Sequence, residues 1–316
     1  MLTEQVEEPR QQDTGWLTAL DFLWLEITPK CNLHCVHCYA ESSPLKPLTQ
    51  GMTGADWLRV LDEGYSLGCR AIQFIGGEPT LHPQLPLFIE RGKTLGYSYL
   101  EVFTNGTTLD TPYGHKLLKT FRDNGVNLAF SAYSDQSGAH DSVTKINGSF
   151  ERTIRGIKSA VEFGITTRVG VIDISQDPEG VERTKTMLLG MGVSSVSTDR
   201  LRGVGRGQEL AFNRDLFGEL CGSCWRGKLC VKPDGKVSPC VFSWFNPVGD
   251  VTEGLPAVLN DHKLQDFRKK VRQQDERERR LVCPPNCSPP CPPDCYPSCS
   301  PCTPDCGPGQ CGPDAP

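Results

Sequence analysis

Three cysteines share one short segment, ITPKCNLHCVHCYAE, with the spacing Cys31-x3-Cys35-x2-Cys38. A four-iron cluster ordinarily takes four thiolates. Three thiolates in one tight loop leave one iron without a protein ligand, open to a substrate or cofactor. A structural zinc ion is the competing occupant. It wants a closed tetrahedron, and His34 and His37 inside the loop would complete one. A second group follows about 180 residues later. Cys221 and Cys224 form a Cys-x2-Cys knuckle, Cys230 comes next, and Cys240 closes VKPDGKVSPC, a hairpin with its turn at Asp234-Gly235. A knuckle facing a hairpin is also the layout of a zinc ribbon. Cys69, in LGCRAIQF, lies where a helix turns into a buried strand and reads as a small apolar packing group.

The remaining eight of the 16 cysteines, Cys283 to Cys311, fall in residues 283–316 together with 12 prolines. Such a segment has too little apolar surface for a core. It reads as a disordered tail. Three roles compete for it: a metal or cluster-delivery tail, a fourth ligand or lid for the second cysteine group, and a peptide-like substrate segment carried by the chain itself.

The first cysteine loop must be held by a scaffold, and residues 22–200 supply alternating strands and helices. The strand segments are 22–28, 71–77, 99–106, 126–133, 165–174 and 193–199. The helical segments are 53–68, 82–96, 112–125, 149–164 and 179–192. Alternation on this scale predicts right-handed βαβ units and a parallel sheet. Six units fit a three-quarter barrel and an open doubly wound sheet equally well. Either places the site at the carboxyl ends of the strands. GAHDSVTKINGSF, with His140 and Asp141, reads mostly as loop and cap, with a weak claim to a substrate role.

Composition bounds the rest. A chain of 316 residues, 37% hydrophobic and 22% charged, can build a real core. A net charge of −5 gives no bulk attraction to nucleic acid. No apolar run is long enough to span a membrane. The polar, acidic start MLTEQVEEPRQQD lacks a signal-peptide pattern, so the cytoplasm is the expected location. In a reducing compartment the thiols read as metal ligands or redox groups.

The cysteine loop followed by Tyr39, and a second strand ending in FIGGEPTLHP, resemble the radical SAM superfamily over about residues 20–200. The resemblance implies a partial (β/α)6 barrel. It implies a [4Fe–4S] cluster on Cys31, Cys35 and Cys38 whose open iron chelates S-adenosylmethionine (SAM). It also implies cofactor contacts from Tyr39 beside the adenine and from Gly76, Gly77, Glu78 and Pro79 at the methionine end. Asn105 matches a polar residue near the ribose, Ser131 a fourth-strand serine, and Arg168 a basic residue near the carboxylate. Read without the family, Asn105-Gly106 is a turn, Ser131 a satisfied strand serine and Arg168 a surface charge.

Downstream, residues 201–275 resemble the twitch or SPASM extension, which holds an auxiliary iron–sulfur cluster. The full SPASM pattern has a further cysteine set after the hairpin, and this chain has none between Cys240 and Cys283. One auxiliary cluster, of the [4Fe–4S] type, is therefore expected on Cys221, Cys224 and Cys240, with Cys230 or a tail cysteine as fourth ligand. Cys230 has an alternative role as a hydrogen-atom donor. The expected organisation is an extension over 1–20, the barrel over 21–200, the auxiliary domain over 201–275, and a linker and tail over 276–316. The resemblance implies an enzyme that cleaves SAM reductively and abstracts hydrogen. Its substrate is a ribosomally made peptide, crosslinked or epimerised, or alternatively a small molecule such as an aminosugar. A non-catalytic metal carrier is the minor alternative. An electron donor such as flavodoxin or ferredoxin is the expected partner, with no nucleic acid and no membrane.

Overall fold

The computed structural model describes residues 14–174, 176–211 and 215–282. The first part of the N-terminal extension and the whole Pro/Cys tail, with its three readings, lie outside them.

Six parallel strands run through the first two-thirds of the chain: β1 (Phe22–Thr28), β2 (Ala71–Gly76), β3 (Tyr99–Thr104), β4 (Asn127–Ala132), β5 (Thr167–Asp173) and β6 (Ser195–Arg200). Between them lie α1 (Gly54–Ser66), α2 (Leu85–Leu95), α3 (Pro112–Asp123), α4 (Ser137–Thr144), α5 (Ser149–Glu162) and α6 (Pro178–Gly190). Helix starts follow local chemistry. Thr53 and Asp56 form a reciprocal capping box on α1. Thr111 and Asp177 cap α3 and α6, each followed by proline at a first-turn position where no amide is needed.

The strand order β6-β5-β4-β3-β2-β1 decides between the two architectures left open by periodicity. Every strand adds to the same side of its predecessor. There is no reversal, which a doubly wound sheet requires. Right-handed crossovers then place all the helices on one face, and the twisted sheet curls around the other as a partial barrel. Alternation along β1 shows the two faces. Leu23, Leu25 and Ile27 pack with Trp57, Leu61, Ile72 and Phe74 beneath the helices, while Phe22 and Trp24 face an inner cavity.

The cysteine-rich region extends this sheet. Strand β7 (Lys228–Val231) pairs in parallel with the free edge of β1, aligning Trp24 with Cys230. Strands β8 (Lys236–Ser238) and β9 (Gly249–Asp250) follow antiparallel, with the expected turn at Asp234-Gly235. Two helices close the region, α7 (Leu255–Asn260) and α8 (His262–Val282). Helix α8 runs past residue 275, where a linker was expected. It is anchored by the buried Arg268, whose guanidinium donates to Leu17 O at 2.6 Å and to Lys228 O at 3.3 Å.

The 137–144 segment is a helix rather than a loop. Its last residue is followed by Lys145 in the left-handed region, at φ 59°. Eight polar and small residues carry little apolar periodicity, so the sequence signal was weak.

Candidate functional site

The Cys31–Cys38 loop leaves the carboxyl end of β1 and is held by backbone on two sides. From α4, the Thr144 and Val143 carbonyls accept the His34 and Val36 amides at 3.0 and 2.9 Å. From the segment after β6, Arg206 donates through its backbone amide to Cys38 O at 3.1 Å and through Nε to Cys35 O at 2.8 Å. Gly205, at φ +59°, lets that segment close in, since a Cβ there would sit 2.4 Å from Tyr39 O. Nothing in the sequence marks Arg206, because its partner lies 171 residues away.

The three thiols are mutual electrostatic neighbours. Burial, then the other charges around it, pushes Cys31 well up, and burial with Cys38 pushes Cys35 up to about 12. Cys31 and Cys35, buried in this way, are poor thiolates on their own. A cationic metal centre is what would stabilise these two as anions, and with Cys38 as their electrostatic neighbour the donor set fits an iron–sulfur cluster.

Gly76 and Gly77 stand where expected, at the end of β2 on the cavity wall. What demands glycine there is the chain itself. A Cβ on Gly77 would lie 2.1 Å from Lys30 O, and one on Gly76, at φ +127°, 2.6 Å from Thr28 O. The GG pair thus seats the cysteine loop against β2. Glu78 and Pro79, expected as cofactor contacts, are buried and do not line the cavity. The Glu78 carboxylate is spent on its own fold: Oε1 accepts from Thr80 N at 3.0 Å, Thr80 Oγ1 at 2.7 Å and Thr104 Oγ1 at 2.7 Å, and Oε2 from Asn105 N at 2.8 Å. It acts on the cavity through Asn105. That side chain does line the wall, donating to Asn32 Oδ1 at 2.8 Å and toward Cys31 Sγ at 3.7 Å.

The cavity itself measures about 610 Å³, the size of a site for a drug-sized ligand. Tyr39, Ser131 and Arg168 all line it. Arg168 is no loose surface charge. Its Nε and Nη2 make a two-point bond to Glu101, both at 2.7 Å, and Tyr99 Oη donates to the same carboxylate at 2.7 Å, with the Gln73 amide completing the set. Glu101 is 1% exposed, so the pair fixes Arg168 in one orientation at the cavity floor. Tyr39 meets Phe242 edge-on at 5.5 Å. Its hydroxyl lies beside Glu26, a carboxyl that burial raises to about 7 against the pull of Lys232. Glu26 also borders a second, polar cavity of about 170 Å³.

Asp141 and His140 are structural. Asp141 accepts from the Gly148 and Phe150 amides and the Ser149 hydroxyl at the start of α5, at 2.5, 2.8 and 2.7 Å. His140 packs against Tyr133 and Phe150. Cys69 is fully buried in the core.

The second cysteine group divides. Cys224 and Cys240 bring their sulfurs within 3.1 Å of each other. The exposed Cys221 is hydrogen-bonded to Cys224, which, with Lys228 and Arg202 nearby, lowers its thiol to about 5. Cys240 is seated by Ser243, whose Oγ accepts its amide at 2.8 Å. Trp225, Phe267 and Val271 pack around the site. Lys228 and Arg202 also line the main cavity, so the trio adjoins it. Cys230 bonds elsewhere, with Cys240 as an electrostatic neighbour. It is fully buried behind Trp24, Ile75 and Val241, with its thiol against the Glu26 carboxyl.

The sequence model of the radical SAM superfamily matches residues 25–187, just over half of the chain, and that of SPASM, an iron–sulfur cluster-binding domain, matches residues 221–303. The chain is 26% identical over 274 residues to the antilisterial bacteriocin subtilosin biosynthesis protein AlbA of Bacillus subtilis, covering 76% of this chain and 60% of that protein. It is 29% identical over 196 residues to a probable GTP 3′,8-cyclase of Saccharolobus solfataricus, covering 61% of this chain and 60% of the cyclase. The chain thus spans about 60% of the length of these relatives. The fold is similar to that of SuiB from Streptococcus suis, solved with S-adenosylmethionine, at a TM-score of 0.65 and 15% identity over 79% of this chain and 68% of SuiB.

Proposed function

The chain belongs to the radical SAM superfamily, as an iron–sulfur enzyme with a SPASM region, and from that premise we propose that it modifies a ribosomally made peptide, by crosslinking or epimerisation. When bound, the [4Fe–4S] cluster and SAM supply a 5′-deoxyadenosyl radical that abstracts hydrogen. Cys31, Cys35 and Cys38 hold that cluster, and Cys221, Cys224 and Cys240 hold the auxiliary one. Gly76 and Gly77 press the cysteine loop against the end of β2. Asn105, braced by Glu78, and Tyr39 flank the cofactor end of the cavity. Arg168, locked by Glu101, offers a fixed cation at its floor. The aromatic walls, including Trp24, Phe103 and Phe242, exclude water from the reacting centre.

The observation that carries the peptide reading is the cavity's setting. Its wall reaches β6, the last strand of the barrel, where Ser197 and Asp199 line it. Residues of β6 are mostly exposed, and among the described residues no strand pairs with its outer side. A site open along a strand edge admits an extended chain as readily as a compact molecule. The match to AlbA, named for bacteriocin biosynthesis, and the likeness to SuiB, also solved with a precursor peptide, support this reading.

The test is anaerobic incubation of reconstituted enzyme, SAM and reductant with short peptides encoded beside its gene, followed by mass spectrometry in H2O and D2O. Loss of two hydrogens marks a crosslink, and one solvent deuterium at an α-carbon marks epimerisation. Unmodified peptides, with 5′-deoxyadenosine formed only when an aminosugar is supplied, would overturn the peptide reading.

A further inference from the structure

Among the described residues, three donors reach sulfurs of the first cysteine loop. Leu33 N reaches Cys31 Sγ at 3.3 Å, Asn105 Nδ2 reaches Cys31 Sγ at 3.7 Å, and Tyr133 Oη reaches Cys35 Sγ at 4.0 Å. The first is backbone, and the second is shared with Asn32 at 2.8 Å. Tyr133 differs from both. Its hydroxyl reaches the Cys35 sulfur as a side-chain donor, and the Ser131 hydroxyl is its second hydrogen-bond partner. Its ring is clamped by two imidazoles, His37 edge-on and His140 tilted, each with its centroid 5.0 Å away, and His140 is backed by Phe150 at 5.6 Å. The ring therefore has little freedom to swing its hydroxyl elsewhere. The same α4 that carries His140 also holds the backbone of His34 and Val36 on either side of Cys35. Strand end, helix and cysteine loop meet at this one sulfur.

We infer that Tyr133 sets the reduction potential of the cluster held by Cys31, Cys35 and Cys38, through its hydrogen bond to the Cys35 sulfur. The inference rests on the reading that these three cysteines bind that cluster. Hydrogen bonds to cluster sulfurs are one of the levers by which a protein sets a cluster's potential. The donor stabilises negative charge on sulfur. The reduced state carries one more negative charge than the oxidised state, so it gains more. The bond therefore raises the potential. Tyr133 is a positioning residue that acts through Cys35, and it makes the cluster easier to fill with an electron.

The test is Tyr133→Phe in the full chain, which keeps the ring and its stacking and deletes only the donor. After anaerobic reconstitution, iron content is measured. The midpoint potential is then followed by electron paramagnetic resonance, using the spectral change that SAM produces to identify the cluster. The expected result is full iron with a more negative potential, a several-fold change in the oxidised-to-reduced ratio. At 4.0 Å the ceiling is about tenfold, or 59 mV for a one-electron couple. A purely structural role would lower iron content and leave the potential of the remaining clusters unmoved, which overturns the inference. So does full iron with an unshifted or more positive potential. Should Tyr133→Phe fail to load iron, 3-fluorotyrosine at position 133 decides. Its more acidic hydroxyl is the stronger donor and must shift the potential upward, and no upward shift overturns the inference. Iron missing from the wild-type loop would instead sink the cluster reading beneath it.

Discussion

Glu78→Gln is a substitution of one atom type in a fully buried place, and its sign is calculable. The carboxylate accepts four hydrogen bonds, three at Oε1 and one at Oε2. A glutamine amide can keep the three only with its oxygen at the Oε1 position. Its NH2 then faces the Asn105 amide, donor against donor. The reverse orientation sets NH2 against three donors and is worse. The variant therefore loses one charge-assisted bond, worth about 1.5–3 kcal/mol, strands a buried N–H, and turns three charged bonds into neutral ones. Burial acts the other way. It penalises the carboxylate first of all, raising its pKa, and a neutral amide escapes that penalty. Because burial already outweighs the charge-assisted bonds, the sign is set by the stranded Asn105 N–H facing the glutamine NH2, and we expect a net loss of about 2 kcal/mol. At roughly 2–4 °C per kcal/mol for a domain approaching this size, that is a fall of about 4–8 °C in Tm. Circular dichroism melts of the cluster-free chain, wild type against variant, read it directly. A variant as stable as wild type, or more so, would show that desolvation outweighs the network and that Glu78 does not brace Asn105.

Two further expectations follow from the geometry. Cys230→Ala should retain the auxiliary iron, because its thiol hydrogen-bonds the Glu26 carboxyl and meets the trio only as an electrostatic neighbour of Cys240; loss of those irons on chemical analysis would restore Cys230 as a ligand. Burial alone would raise the Asp141 carboxyl, but the Phe150 and Gly148 amides and the Ser149 hydroxyl outweigh it and hold it below the usual range. A depressed folded-state pKa gives stability that is full above the unfolded value near 3.9 and is lost as pH falls through the lower folded value. Asp141→Asn turns charge-assisted bonds into neutral ones, and should therefore cost about 1 kcal/mol at neutral pH and flatten the acid limb of stability against pH; an unchanged acid limb would contradict the assignment.

What the sequence disclosed was local, and what it hid was distant. The strand segments and the Cys31–Cys38 spacing are period and punctuation within a few residues, and the structure places those strands with shifts of only a residue or two at their ends. Barrel against doubly wound sheet was undecidable, since both share the same βα alphabet and differ only in strand order. The glycines of GGEP read as cofactor contacts, and what the sequence does not show is that Lys30 and Thr28 backbone already crowds against them. Glu78 reads as a site residue in the motif, yet its four donors, two of them on β3 and the turn after it, turn it inward. Arg206, Glu101 and Tyr133 left no mark at all, because each acquires its role from partners brought in by the fold: Cys35 O, Arg168 and Cys35 Sγ. The placement of the Cys230 thiol against Glu26 likewise depends on β7 joining β1, a pairing across about 200 residues of chain.

The central claim is that Cys31, Cys35 and Cys38 carry the cluster that cleaves SAM. Its direct measurement is 5′-deoxyadenosine formed anaerobically by reconstituted protein with SAM and a strong reductant, wild type against the variant with all three cysteines changed to alanine. The account predicts product from the wild type, none from the variant, and about half the iron remaining in the variant, counted on a chain ending near Leu281 so that tail cysteines do not contribute. 5′-deoxyadenosine from the triple variant at the wild-type rate would contradict it.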